Sequence, residues 1–109
     1  MRLPQGNRAF VDDAKLVSYC LNPDHARGKH KARRFAAVGI TEASAPILKA
    51  ALLEAAETGA AVASESDPHG PRYVVDFEWE TARASILVRS VWIVRTGEDF
   101  PRLVSCYML

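Results

Sequence analysis

The chain reads as an α+β fold, with three N-terminal helices packed on one side of a C-terminal antiparallel sheet of about three to four strands. Three observations predict this. Apolar residues recur at helical spacing in three segments before residue 60. The pattern then changes to strict alternation from Arg72 onward. Turn-forming clusters separate the segments: Asn22-Pro23, Gly39, Gly59 and the Ser64–Pro71 stretch rich in Ser, Asp, Pro and Gly. At 109 residues the chain is expected to form a single domain, 1–109.

The first ten residues are an irregular lead-in. Asp12 is a good N-cap, because its carboxylate accepts from free amides of a first helical turn. Val11 and Leu16 have the spacing of a hydrophobic staple across that start. Leu16, Val17, Cys20 and Leu21 form one stripe, so the first helix runs from about Asp13 to Leu21. Pro23 stops it, since the residue before proline avoids the helical region. The second helix starts between Arg27 and Lys29 and ends before Gly39, which is suited to the left-handed closing conformation. Ala32, Phe35 and Ala36 face inward, His30, Arg33 and Arg34 face outward, and Lys31 falls on the border. The third helix covers roughly Ala43 to Thr58. Pro46 must sit in its first turn, Ile47, Leu48, Ala51, Leu52 and Ala55 form its apolar face, and Gly59 ends it.

Tyr73, Val75, Phe77 and Trp79 alternate with Arg72, Val74, Asp76, Glu78 and Glu80, the pattern of a half-buried strand with an acidic outer face. Thr81-Ala82 has poor chemistry for a tight hairpin, which points to a longer loop. Ser85 to Arg95 is a second long strand, Thr96 to Pro101 the next turn, and Arg102 to Met108 the last strand.

The formal net charge is only +1, so the whole molecule is not a generic polyanion binder. The charge is unevenly placed, however. Most cations lie before residue 60 and most acids after it, which permits a local basic face. No apolar run approaches the roughly 18 residues of a membrane span, and the N-terminus lacks the apolar core of a secretory signal. A cytoplasmic setting without membrane association is the expectation. Cys20 and Cys106 make neither a disulfide framework nor a metal motif and read as buried thiols. The three histidines lack zinc spacing. No phosphate-loop, dinucleotide or nucleophile-elbow pattern occurs. Neither a metal nor a cofactor is expected.

His25 to Phe35 is the segment with most chemistry. It places two imidazoles and five cations at a helix start. Unpaired amides and the helix dipole make such a start an anion site. Arg27, Gly28, Lys29 and His30 are therefore candidate phosphate-binding residues, with Gly28 allowing close backbone approach. A solvated basic face on an amphipathic helix explains the same residues without a ligand. His25 precedes the helix and can present an imidazole beside the amides, where it would suit proton transfer. His69, in Pro-His-Gly-Pro, is expected only to be solvated. In the last strand, Ser105 and Tyr107 share a face by alternation, and Arg102 lies opposite if the strand is regular. An arginine on these strands is otherwise explained by pairing with Asp76, Glu78 or Glu80.

Certain stretches carry a resemblance. They are Tyr19-Cys20-Leu21-Asn22-Pro23-Asp24-His25, Gly28-x-x-Lys31-Ala32-x-x-Phe35, Val91-Trp92-Ile93-Val94, and Pro101-Arg102-Leu103-Val104-Ser105-Cys106-Tyr107. Together they resemble an uncharacterised bacterial family of domains of about this length. The helices-then-sheet layout and the His-x-x-Gly-x-x-Lys spacing look like the small RNase toxins of the barnase, EndoU, colicin and RelE fold group. That likeness implies metal-independent RNA cleavage, in which a base takes the ribose 2′-hydroxyl proton and cations stabilise the phosphorane. It assigns His25 as base or acid. It gives Lys31 and Arg102 the phosphate charge, and Ser105 and Tyr107 the roles of phosphate donors or ribose contacts. Ser105 stands where threonine is expected in relatives, and no second histidine is clearly supplied for the acid–base pair.

Two functions follow as expectations. One is an RNA- or phosphate-binding, toxin-like effector with ribonuclease activity. The other is a non-enzymatic module, antitoxin-like or immunity-like, whose acidic strand face meets a cognate protein. The chain is expected to be a monomer, or a homodimer through a sheet edge.

Overall fold

The computed structural model describes residues 1–109. Helix α1 begins at Asp13–Lys15 and continues as a π-helical turn over Leu16–Cys20. Its Asp12 cap is present: Oδ1 accepts from the amides of Ala14 at 2.9 Å and Lys15 at 3.4 Å. Val11 and Leu16, the expected staple, are both buried. Helix α2 spans Lys29–Ala37 and closes through Gly39 at φ 85°, with the Ile40 amide reaching back to the Phe35 carbonyl. Helix α3 spans Ala45–Thr58 and is entered through a 3₁₀ turn at Glu42–Ser44, where Thr41 and Ser44 form a reciprocal cap.

Four strands follow in an antiparallel meander: β1 (Ala61–Ala63), β2 (Arg72–Glu80), β3 (Ser85–Ile93) and β4 (Arg102–Met108), in the order β1-β2-β3-β4. The short β1 was not expected from the sequence. Ala61-Val62-Ala63 is too brief and too poor in branched residues to register as a strand, and pairing with Val75, Val74 and Tyr73 creates it. The β2–β3 connection is the longer loop that Thr81-Ala82 implied. The Thr81 hydroxyl accepts from the Arg83 and Ala84 amides and donates to the Ala84 carbonyl. Strand β3 ends at Ile93, two residues earlier than expected, where Val94 turns to donate to the Pro71 carbonyl.

One sheet face meets the helices. Val75, Val88, Trp92, Leu103 and Cys106 pack there against Leu16, Phe35, Leu48 and Leu52. Trp92 and Phe35 are completely buried, and truncating either to alanine would cost about 3–5 kcal/mol. A single polar relay crosses this face. The Ser90 hydroxyl donates to the Val75 carbonyl at 2.6 Å and accepts the Trp92 indole N–H at 2.9 Å. Ser90, which interrupts an apolar strand in the sequence, is thereby accounted for as a core residue.

Strand β4 is not regular. Its register steps from Val91 opposite Ser105 to Trp92 opposite Leu103, so Val104 is bulged out. The bulge restarts the alternation. Leu103 and Cys106 both face the core, while Arg102, Ser105 and Tyr107 fall on the open face opposite Ile93, Val91 and Arg89. The expectation that Arg102 lies opposite Ser105 and Tyr107 required a regular strand, and the extra residue removes that condition.

Candidate phosphate-binding cleft

The five residues expected to act together occupy different places. His25 closes the turn that leads into helix α2: its Nδ1 accepts from the amides of Arg27 at 3.0 Å and Gly28 at 3.1 Å, and its carbonyl accepts from Lys29. The amides of Arg27, Gly28 and Lys29 are thus occupied by the chain itself. The imidazole also stands edge-on to Tyr19, with ring centroids 4.8 Å apart. Gly28 serves the same local packing. A Cβ there would meet the Tyr19 carbonyl oxygen at 2.6 Å, so the close approach it allows is to Tyr19. Lys29 is half-buried, and Arg27 and His30 are exposed beside it.

Lys31 and Tyr107 do meet. The ammonium lies over the ring, 4.3 Å from its centroid, and the phenol lies beside the Arg89 guanidinium. Arg89 in turn makes a two-bond pair with Asp76, both contacts at 2.9 Å, which raises its pKa. Asp76 is therefore neutralised, and the acidic outer row of β2 reduces to Glu78 and Glu80. Ser105 is buried, and its hydroxyl has no hydrogen-bond partner. Arg102 stands at the other end of β4 from Tyr107, roughly 16 Å away along the strand.

Arg102 belongs instead to a cleft of about 710 Å³ at the end of the sheet where β2 and β4 begin and β3 finishes. Lys15, Arg72, Arg95 and Arg102 supply its positive wall, His69 an imidazole, Asp12 its carboxylate, and Phe10, Ile93, Leu103 and Val104 its apolar wall. Each group is held by local structure. Lys15 is in the first turn of α1. The Pro68-His69-Gly70 loop is fixed to the end of β3, because the His69 carbonyl accepts from the Thr96 amide at 2.8 Å. Gly70, at φ 142°, packs so closely on the Val94 carbonyl that a Cβ would lie 2.1 Å from its oxygen. His69 is exposed in its loop, as the sequence predicts, and it lines the cleft.

Two of the guanidiniums are aimed by carboxylates. Arg72 donates through Nε to Asp67, and Arg102 donates through Nε and one terminal nitrogen to Glu98, both at 2.8 Å. Asp67 has a lowered pKa, first from the His69 amide and then from Arg72, and Glu98 is lowered chiefly by Arg102. These pairs leave further N–H groups of each arginine free to meet a ligand. Lys15 and Arg95 form no salt bridge. Sequence spacing hides this cluster, since its members lie between positions 12 and 102. The β-bulge, the His69 loop and the α1 start bring them together.

The cleft adjoins the core. Cys20 and Cys106, distant in sequence, are both buried in the core. The Cys106 thiol and the charges of Lys15 and Lys31 lower the Cys20 pKa, while Cys20 and burial raise that of Cys106. Both are free cysteines, and no cluster of His, Cys, Asp and Glu has the makings of a metal site. No single helix is long and apolar enough to cross a membrane.

Comparison with protein families matches residues 2–109 to a model described as Domain of unknown function (DUF6883). The chain belongs to the DUF6883 family. The match covers nearly the whole chain, so the helices, the sheet and every residue of the cleft are parts of the family domain. Comparison with curated proteins found no match, and comparison with solved structures found none.

Proposed function

We propose that this DUF6883 domain binds the phosphodiester backbone of RNA in the cleft and cleaves it without a metal, as a toxin-like effector. The observation that carries the reading is the convergence of Lys15, His69, Arg72, Arg95 and Arg102 on one concave site. Four cations around a cleft favour a ligand with concentrated negative charge, and arginine forks match phosphate oxygens. A cation cradle also stabilises the charge that develops on a pentavalent phosphorane.

The chemistry available is transfer of phosphorus to the ribose 2′-oxygen. The 2′-hydroxyl loses its proton, its oxygen bonds to phosphorus, and the 5′-oxygen leaves with a proton, giving a 2′,3′-cyclic phosphate. Two proton carriers are needed. His69 is the cleft's imidazole, and the Asp12 Oδ2, which takes no part in the helix cap, is its carboxylate partner. In this reading Arg102 keeps the phosphate role that the resemblance to RNase toxins implies. His25, Lys31, Ser105 and Tyr107 lie outside the reacting set, and so do Arg27, Lys29 and His30 at the start of α2.

The test is incubation of total RNA with the protein in EDTA, with the termini of the products analysed. The reading predicts cyclic phosphate ends from wild type and none from folded His69→Ala or Arg95→Ala. Absence of cleavage by the folded wild type would overturn the catalytic half. Cleavage that persists in both variants and disappears in Lys31→Ala would move the site to helix α2.

A second reading rests on Glu78 and Glu80, which form no salt bridge on the outer face of β2, near the exposed Leu87. It makes the domain a protein-interaction module for a basic partner. A co-purifying protein lost on Glu78→Lys and retained on Arg95→Ala would favour it.

A further inference from the structure

We propose that the cleft reads one unpaired nucleobase by stacking it on Phe10, so that its ligand is single-stranded. This rests on the phosphate site proposed above and adds the base to it. Phe10 is 44% exposed, while Ile93 and Leu103 of the same cleft wall are buried and Phe100 beside it is half-buried. Its position is nevertheless rigid. The Phe10 amide donates to the Pro101 carbonyl at 2.9 Å, and its own carbonyl accepts from Leu103 at 3.0 Å, which fastens the residue to the start of β4. The Arg102 guanidinium lies between two rings, 4.9 Å from the centroid of Phe10 and 5.1 Å from that of Phe100.

A phosphate cradle has no use for an exposed ring at its rim. A nucleotide has, because its base is a flat π-surface attached by a sugar's length to the phosphate. Base–aromatic stacking tolerates any base and requires that the base be out of a duplex. An arginine already packed on that ring meets the phosphate of the same nucleotide and fixes the register between base and backbone. Ordering costs are small, since the ring's backbone is already fastened.

The experiment is calorimetric titration of wild type, Phe10→Ala and Phe10→Tyr with inorganic pyrophosphate, a short single-stranded oligoribonucleotide and the corresponding duplex. The proposal expects Phe10→Ala to bind the single strand roughly tenfold more weakly or worse, with a much smaller change in pyrophosphate affinity. It expects Phe10→Tyr to bind like wild type, and the duplex to bind more weakly than the strand. Equal affinity of Phe10→Ala and wild type for the strand would overturn the stacking role, and so would a matching loss for pyrophosphate. If wild type binds neither pyrophosphate nor RNA, the phosphate site itself fails. Unfolding curves for both variants separate a lost ring contact from a damaged β4 start.

Discussion

His25 Nδ1 accepts the Gly28 amide at 3.1 Å, so the residue with the most catalytic appearance in the sequence holds the turn that leads into helix α2. The bond satisfies an amide that has no carbonyl partner at a helix start. Replacement of His25 by alanine is expected to destabilise the domain by about 1 kcal/mol, and His25→Asn, which keeps a side-chain acceptor, to recover much of it. Urea unfolding checks this. An unchanged midpoint in His25→Ala would remove that role.

Two serines on neighbouring strands predict opposite outcomes. Ser90→Ala leaves the Trp92 indole N–H and one acceptor of Val75 unmet in a buried site, and should cost about 1–3 kcal/mol. Ser105 has no partner for its hydroxyl, so Ser105→Ala should be neutral within about 0.5 kcal/mol or slightly stabilising. Denaturation followed by tryptophan fluorescence measures both. Equal losses would contradict the assignment of the relay to Ser90.

The cleft's carboxylates predict an acid dependence. Asp67 and Glu98 have folded pKa values below their unfolded ones. The stability they contribute is therefore complete above the unfolded carboxylate values, near 4, and is lost as pH falls through the lower folded values. Acid unfolding should be less steep in Glu98→Gln than in wild type over that window, with the two curves parallel at neutral pH. Identical slopes below pH 4 would mean that the Arg102 pair contributes nothing differential.

Gly28 gives a steric prediction. Its Cβ position lies 2.6 Å from the Tyr19 carbonyl oxygen, which is backbone and cannot swing aside. Gly28→Ala should destabilise by about 1–3 kcal/mol through overpacking at the α1–α2 junction. A thermal midpoint equal to wild type would show that the junction opens freely.

The helices and long strands were legible because their signals are local. Asp12, Gly39 and the alternation from Tyr73 to Trp79 each act within a few residues of themselves. Strand β1 was not legible, because Ala61–Ala63 is a strand only by virtue of β2. Nor was the bulge at Val104, which changes the face of Arg102 and follows from pairing with β3. The same holds for the site. A dense run such as His25–Arg34 attracts attention in a sequence, yet its Arg27 and Gly28 amides are met by the His25 imidazole. The cleft draws single residues from α1, the His69 loop, β2, β3 and β4, and no spacing rule joins Lys15 to Arg102. Ser105 and Tyr107 were placed correctly relative to one another, since the bulge precedes both.

The central claim is that anions are held in the cleft formed by Lys15, His69, Arg72, Arg95 and Arg102. Titration of the isotopically labelled protein with a short oligoribonucleotide, followed by amide NMR shifts, tests it most directly. The account predicts that the largest, saturable shifts fall at Lys15, His69, Arg95 and Arg102, with weaker effects along α2. Shifts confined to Arg27–Arg34, with the cleft unmoved, would contradict it.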